Sequence, residues 1–175
     1  MAHNWGSKSR CRLRAAVACI GVLAATEINA QALCDDIKRA IEMAPEGFEG
    51  LRIKPTGKDW FDARRIAGAT SCYISMRYDP RYVCRMTSPK VTPKQVSTVY
   101  SRQVVNLQKC FPELKPARQF GGAASSMAST QWQVADRVFV SVVMSRGDGM
   151  SKAAELSAFA FNDVSIEVEH RVRSR

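Results

Sequence analysis

Apolar residues recur at helical spacing where Cys34, Ile37, Ile41 and Ala44 share one face and Asp35, Asp36, Lys38, Arg39 and Glu42 lie elsewhere. That pattern predicts an amphipathic helix over about 34–43, with acidic residues in its first turn facing the positive end of the helix dipole. Pro45 and Gly47 stop it. Residues 46–70 show no clear period; Leu51-Arg52-Ile53 reads as at most a short strand, and Pro55 and Gly57 break the chain before Trp60 and Phe61. The period changes to two over 71–78 and 82–87, around an Asp79-Pro80 turn. Cys72, Ile74, Met76 and Tyr78 fall on one side of the first strand, and Tyr82, Cys84 and Met86 on the same side of the second. This even-numbered side is the more apolar, so it is assigned to the core.

Thr92-Pro93-Lys94-Gln95 then opens the best-marked helix, with a cap residue, proline at the first helical position and glutamine at the third. Val96, Val99, Tyr100, Gln103, Val104, Leu107, Cys110 and Phe111 follow on one face, and Pro112 and Pro116 end the run. Gly121 to Ser129 reads as a loop. Strands are predicted at 130–134, 137–144 and 164–172, with turns at Arg146-Gly147-Asp148-Gly149 and Asn162-Asp163. Residues 152–161 fit a short helix or an extended piece equally. In the last strand Val164, Ile166, Val168, His170 and Val172 alternate with Ser165, Glu167, Glu169 and Arg171. The expected fold is therefore α+β: an antiparallel sheet with two helices packed on one face, in the order α-β-β-α-β-β-β.

The N-terminus supplies the compartment. Lys8, Arg10, Arg12 and Arg14 precede the apolar run Ala15–Ala25, and Ala30-Gln31-Ala32 is a small-x-small site beyond it. This is the layout of a secretory signal peptide, and the apolar run is about half the ~20 residues of a membrane-spanning helix. Residues 1–32 are read as a removed signal peptide and 33–175 as a single α+β domain, periplasmic or secreted. Cleavage there leaves 143 of the 175 residues, and six cysteines become four: Cys34, Cys72, Cys84 and Cys110. An even number in a small exported domain implies two disulfides, and all four cysteines point inward in the pattern above. Three pairings remain open; the placement leans towards Cys34 with Cys110 and Cys72 with Cys84.

Chemistry is sparse. His170 is the sole histidine after processing, and no G-x-S-x-G, S-x-x-K, H-E-x-x-H or C-x-x-C pattern occurs. The cysteine spacing lacks the close pairs of a structural zinc site, so no metal or cofactor is expected. The neighbouring carboxylates are Asp35/Asp36, which suit a helix start, and Glu167/Glu169, which are assigned to a solvated strand face. Charge adds a constraint: 22 Lys+Arg against 15 Asp+Glu remain after processing, a surplus that favours an anionic envelope component or an acidic protein partner. No specific nucleic-acid signature accompanies it.

The outer side of the hairpin is the candidate binding surface. Tyr73, Arg77 and Arg85 alternate away from the core, and Arg81 lies at the turn beside them; arginine with tyrosine is favoured in recognition patches. The expected function is an exported, non-catalytic binding or interaction domain of the bacterial cell envelope. The alternatives are an envelope hydrolase using Glu167 and Glu169 and a redox protein with one labile disulfide.

Overall fold

The structure, a computed structural model, describes residues 30–88, 90–146 and 162–172. The basic head and apolar run of the N-terminus, the turn residues 147–149 and residues 152–161 lie outside the described residues. A helix over 30–43 (α1) leads through two short 3₁₀ turns, Ala44–Glu46 and Glu49–Leu51, into four strands: β1 Arg52–Gly57, β2 Trp60–Ala63, β3 Ser71–Ser75 and β4 Arg81–Arg85. Helix α2 (Pro93–Cys110) follows, and then β5 Arg118–Phe120, β6 Met127–Ala135, β7 Val138–Ser145 and β8 Asp163–His170.

The eight strands form one antiparallel sheet in the order β1-β2-β3-β4-β8-β7-β6-β5. Two sequential four-stranded meanders therefore meet along β4 and β8, with Arg81 opposite Glu169 and Cys84 opposite Ile166. The pattern-based reading has five strands and marks Leu51-Arg52-Ile53, where β1 begins, as at most a short one; the rest of β1, β2 and β5 are the additions. Five of the six β1 residues and all three of β5 are exposed, so these edge strands have no apolar alternation to betray them.

The even-numbered side of β3, β4, β6, β7 and β8 is the core. Ile74, Tyr82, Cys84, Trp132, Val140, Val142, Met144, Ile166 and Val168 are all 0–2% exposed. Helix α2 packs on β7 and β8 through Val96, Tyr100, Leu107 and Cys110. Two side-chain bonds reach on to β6: the Tyr100 and Thr130 hydroxyls lie 2.9 Å apart, and Trp132 Nε1 donates to Gln108 Oε1. These satisfy polar groups that burial would otherwise leave unpaired. The start of α2 is the capping box read from the sequence. Thr92 Oγ1 accepts from Gln95 N–H, and Gln95 Oε1 accepts from Thr92 N–H.

Both disulfides join the cysteines the sequence reading leans towards. Cys34–Cys110 ties α1 to α2 across 76 residues, and Cys72–Cys84 links directly opposed positions of β3 and β4 across 12. Two such bonds, between cysteines no more than 8% exposed, are of the kind that persists in an oxidising compartment. Among the described residues no helix is long and apolar enough to cross a membrane.

Tyr78 corrects one expectation. The alternation that assigns it to the core ends at Ser75, where β3 stops, and Tyr78 turns outward to 82% exposure. The chain from Met76 to Pro80 is turn rather than strand, so its side chains no longer obey a two-residue period.

Candidate functional site

The odd-numbered side of the central strands, away from α2, carries the polar chemistry. Strand pairing sets Tyr73, Val83, Glu167, Ser141 and Gln131 in one row across the sheet, with Ser75, Arg81, Glu169, Phe139 and Gln133 in the next. The register of β2 brings Trp60 opposite Ser75, so its indole lies diagonal to Tyr73, ring centroids 5.3 Å apart.

Arg81 is the centre of this surface. Its guanidinium reaches Glu169 Oε1 at 2.8 Å and Glu167 Oε2 at 3.5 Å. Arg171 binds the other Glu169 oxygen at 3.2 Å, lies 3.9 Å above the Phe139 ring and donates to Gln131 Oε1. Glu167, Arg81, Glu169 and Arg171 thus form a chain of alternating charge across β4 and β8. This corrects the expectation that Glu167 and Glu169 are solvated, because their side chains are only 17% and 12% exposed. Both carboxylates are held by guanidiniums instead of water.

Burial shapes the titration of the groups beneath. It raises the Glu167 carboxyl above its ordinary value, against the opposing pull of Arg81 and the Ser165 hydroxyl. Burial likewise raises the Tyr73 phenol, with Glu167 adding in the same direction. On the core side Tyr82 is pushed far up, again by burial first and then by Asp36; its hydroxyl donates to the Arg64 carbonyl.

Three of the four candidate binding residues share one depression of about 290 Å³: Tyr73, Arg77 and Arg81 line it together with Trp60, Tyr78 and Glu167. Arg77 sits over the Tyr78 ring at 5.4 Å. Arg85 is separated from them. It pairs with Asp163 at 3.3 Å and lines a different hollow with Thr70 and Thr87. The expectation of one four-residue patch is corrected accordingly, since Arg85 lies four residues along β4 from Arg81 and the sheet carries it to another depression.

Trp60 and Tyr78 are the members that sequence reasoning missed. Trp60 stands in a stretch without periodicity, and Tyr78 was assigned inward by an alternation that the turn breaks. The adjacency Trp60-Phe61 after a Pro/Gly break is the only signal that the sequence offers for the first. His170 is half-buried at the end of β8, opposite Val138. It lies outside this depression, whose lining holds no histidine.

Among the described residues no group of three or more His, Cys, Asp or Glu is placed to hold a metal ion. The arrangement offers aromatic faces at a rim, a fixed network of carboxylates and guanidiniums beneath them, and a half-buried carboxyl at the base. Such a surface supports recognition by stacking and hydrogen bonding. No family model, no curated protein and no solved structure matches this chain.

Proposed function

We propose that the protein is an exported, non-catalytic binding domain of the bacterial cell envelope, and that it engages its partner through the depression around Tyr73, Arg77 and Arg81. The observation that carries this reading is the convergence of Trp60, Tyr73 and Tyr78 with two arginines on one solvent-facing hollow. Aromatic residues and arginine are what recognition surfaces concentrate. Export rests on the N-terminal signal layout, supported by the two disulfides. In the architecture we favour, both helices cover the even-numbered face. The bridge from α1 to α2 and the contacts of α2 with β7 and β8 support it.

The structure weakens one part of the expectation. Arg81 and Arg85 are committed to Glu167, Glu169 and Asp163, so the hairpin arginines are not a ready anion site. A protein or a weakly charged envelope component suits this face better than a polyanion. The test is co-sedimentation of the natively exported protein with washed envelope fractions. Arg77→Glu combined with Tyr78→Ala is expected to release it; retention equal to the parent protein would remove this face as the docking site.

One observation favours a second reading, a hydrolase using carboxylates. Glu167 lines the depression with its carboxyl raised by burial, a property of general acids. Cleavage of peptidoglycan fragments that disappears in Glu167→Gln would establish it; absence of cleavage by the parent protein would dismiss it.

A further inference from the structure

Resting on the binding reading above, the geometry points to an uncharged saccharide as the occupant of the depression: one sugar unit stacked on the Trp60–Tyr78 rim and hydrogen-bonded to the polar groups beneath. Charge balance is the first argument. The ionisable side chains that line the hollow, besides the Tyr73 and Tyr78 phenols, are Arg77 and Arg81 against Asp79 and Glu167. Two of each sign cancel, so neither a polyanion nor a cation finds net attraction there. Arg81 is further occupied by the two glutamates, and Asp79 Oδ1 accepts from the Val172 N–H at 2.8 Å. An ionic ligand gains contact with Arg81 only by breaking pairs already formed, and Arg77 is engaged with the Tyr78 ring.

The second argument is the aromatic rim. Trp60 is 41% and Tyr78 82% exposed, an unusual exposure for large apolar rings on one rim. Trp60 is steadied by its tilted contact with Tyr73, and Arg77 lies over Tyr78. A pyranose ring presents axial C–H groups on one face, and these pack against the electron-rich face of an aromatic ring. Its edge carries hydroxyls that both donate and accept, which matches a lining with the Tyr73 and Ser75 hydroxyls, a guanidinium and a carboxylate. Glu167 and Arg81 are held by each other, so they meet a neutral ligand already oriented and lose little freedom on binding. The volume of about 290 Å³ is at the small end of ligand sites, on the scale of one sugar unit with its neighbours running out over the rim.

The experiment is calorimetric titration of the natively exported protein with chitotriose, cellotriose and maltotriose, at low and at high salt. Saturable binding to at least one, unchanged by salt, is expected, because an uncharged ligand has no ionic attraction to screen. Tyr78→Ala, at a largely exposed ring, and Trp60→Ala are each expected to weaken it by about tenfold or more, while Arg85→Glu, in the separate hollow, leaves it unchanged. No saturable binding to any of the three, affinity that survives both aromatic variants, or affinity that falls steeply with salt overturns the inference. The envelope co-sedimentation of the Arg77→Glu/Tyr78→Ala protein separates the two levels. Release from the envelope without trisaccharide binding sinks the saccharide alone; retention on the envelope without trisaccharide binding sinks the binding reading as well.

Discussion

The two disulfides close loops of very different length, and this makes their contributions separable. In the chain-entropy account a bridge stabilises by restricting the unfolded ensemble, with a logarithmic dependence on loop size. The 76-residue loop of Cys34–Cys110 corresponds to about 4.5 kcal/mol and the 12-residue loop of Cys72–Cys84 to about 2.8 kcal/mol at room temperature. The second loop is nested in the first, but closing it shortens the outer one by at most 12 residues, which alters its value by only about 0.2 kcal/mol. All four sulfurs are buried to similar degree, so the packing lost on replacing either pair by alanine largely cancels in the comparison. Cys34→Ala/Cys110→Ala is therefore expected to be less stable than Cys72→Ala/Cys84→Ala by about 1.6 kcal/mol. With a urea slope of about 2 kcal/mol/M, the unfolding midpoints differ by about 0.8 M. Equal midpoints, or the reverse order, would refute the reasoning and locate the stabilisation in native contacts rather than in the unfolded chain.

Other expectations follow from single contacts. Trp132→Ala, at a fully buried ring, is expected to lose about 3–5 kcal/mol in chemical denaturation; a loss below ~1 kcal/mol would contradict the packed core. Tyr100→Phe strands the buried Thr130 hydroxyl and is expected to lose about 1–3 kcal/mol, and adding Thr130→Val should recover part of it. Gly121 holds φ at +63°, and a Cβ there would run into the Met127 carbonyl. Gly121→Ala is expected to lower the melting temperature, and an unchanged one would rule out the strain. For pH, the native Glu167 carboxyl titrates above its ordinary value of 4.5, so the native state holds its proton where the unfolded chain has released it. That contribution to stability is complete below the ordinary value and disappears as pH rises through the raised one. The stability of the parent protein relative to Glu167→Gln should thus fall across this window in thermal unfolding, and parallel curves would refute the burial of this carboxyl.

The elements that bury a face announced themselves in the sequence. Helix α2 carries its cap, proline and glutamine within four residues, and β3, β4, β7 and β8 alternate because one side meets the core while the other does not. All four cysteines follow the same logic. The edges were illegible for the complementary reason: β1 and β5 cover little apolar surface, so their residues obey no period. The candidate site was half legible. Tyr73 and Arg77 were assigned outward by alternation and Arg81 by its place at the turn, but Trp60 arrives from a neighbouring strand whose register only the folded sheet reveals. The burial of Glu167 and Glu169 was hidden too. Their ion pairs to Arg81 span the sheet, 88 positions from Glu169, and no local pattern carries such a distance.

The position of β8 has a consequence for assembly. This strand is the last in the chain among those described, yet it is the seam between β4 and β7. A polypeptide emerging N-terminus first presents the complete β1–β4 meander, α2 and all four of Cys34, Cys72, Cys84 and Cys110 before residue 163 exists. Both sulfur bridges can then form on a molecule whose β4 and β7 still offer bare hydrogen-bonding edges to any neighbour. Closure waits for pairings nearly ninety residues apart, the slow kind in folding. Oxidation can therefore precede completion of the sheet, and a nascent chain halted at that stage is cross-linked but aggregation-prone.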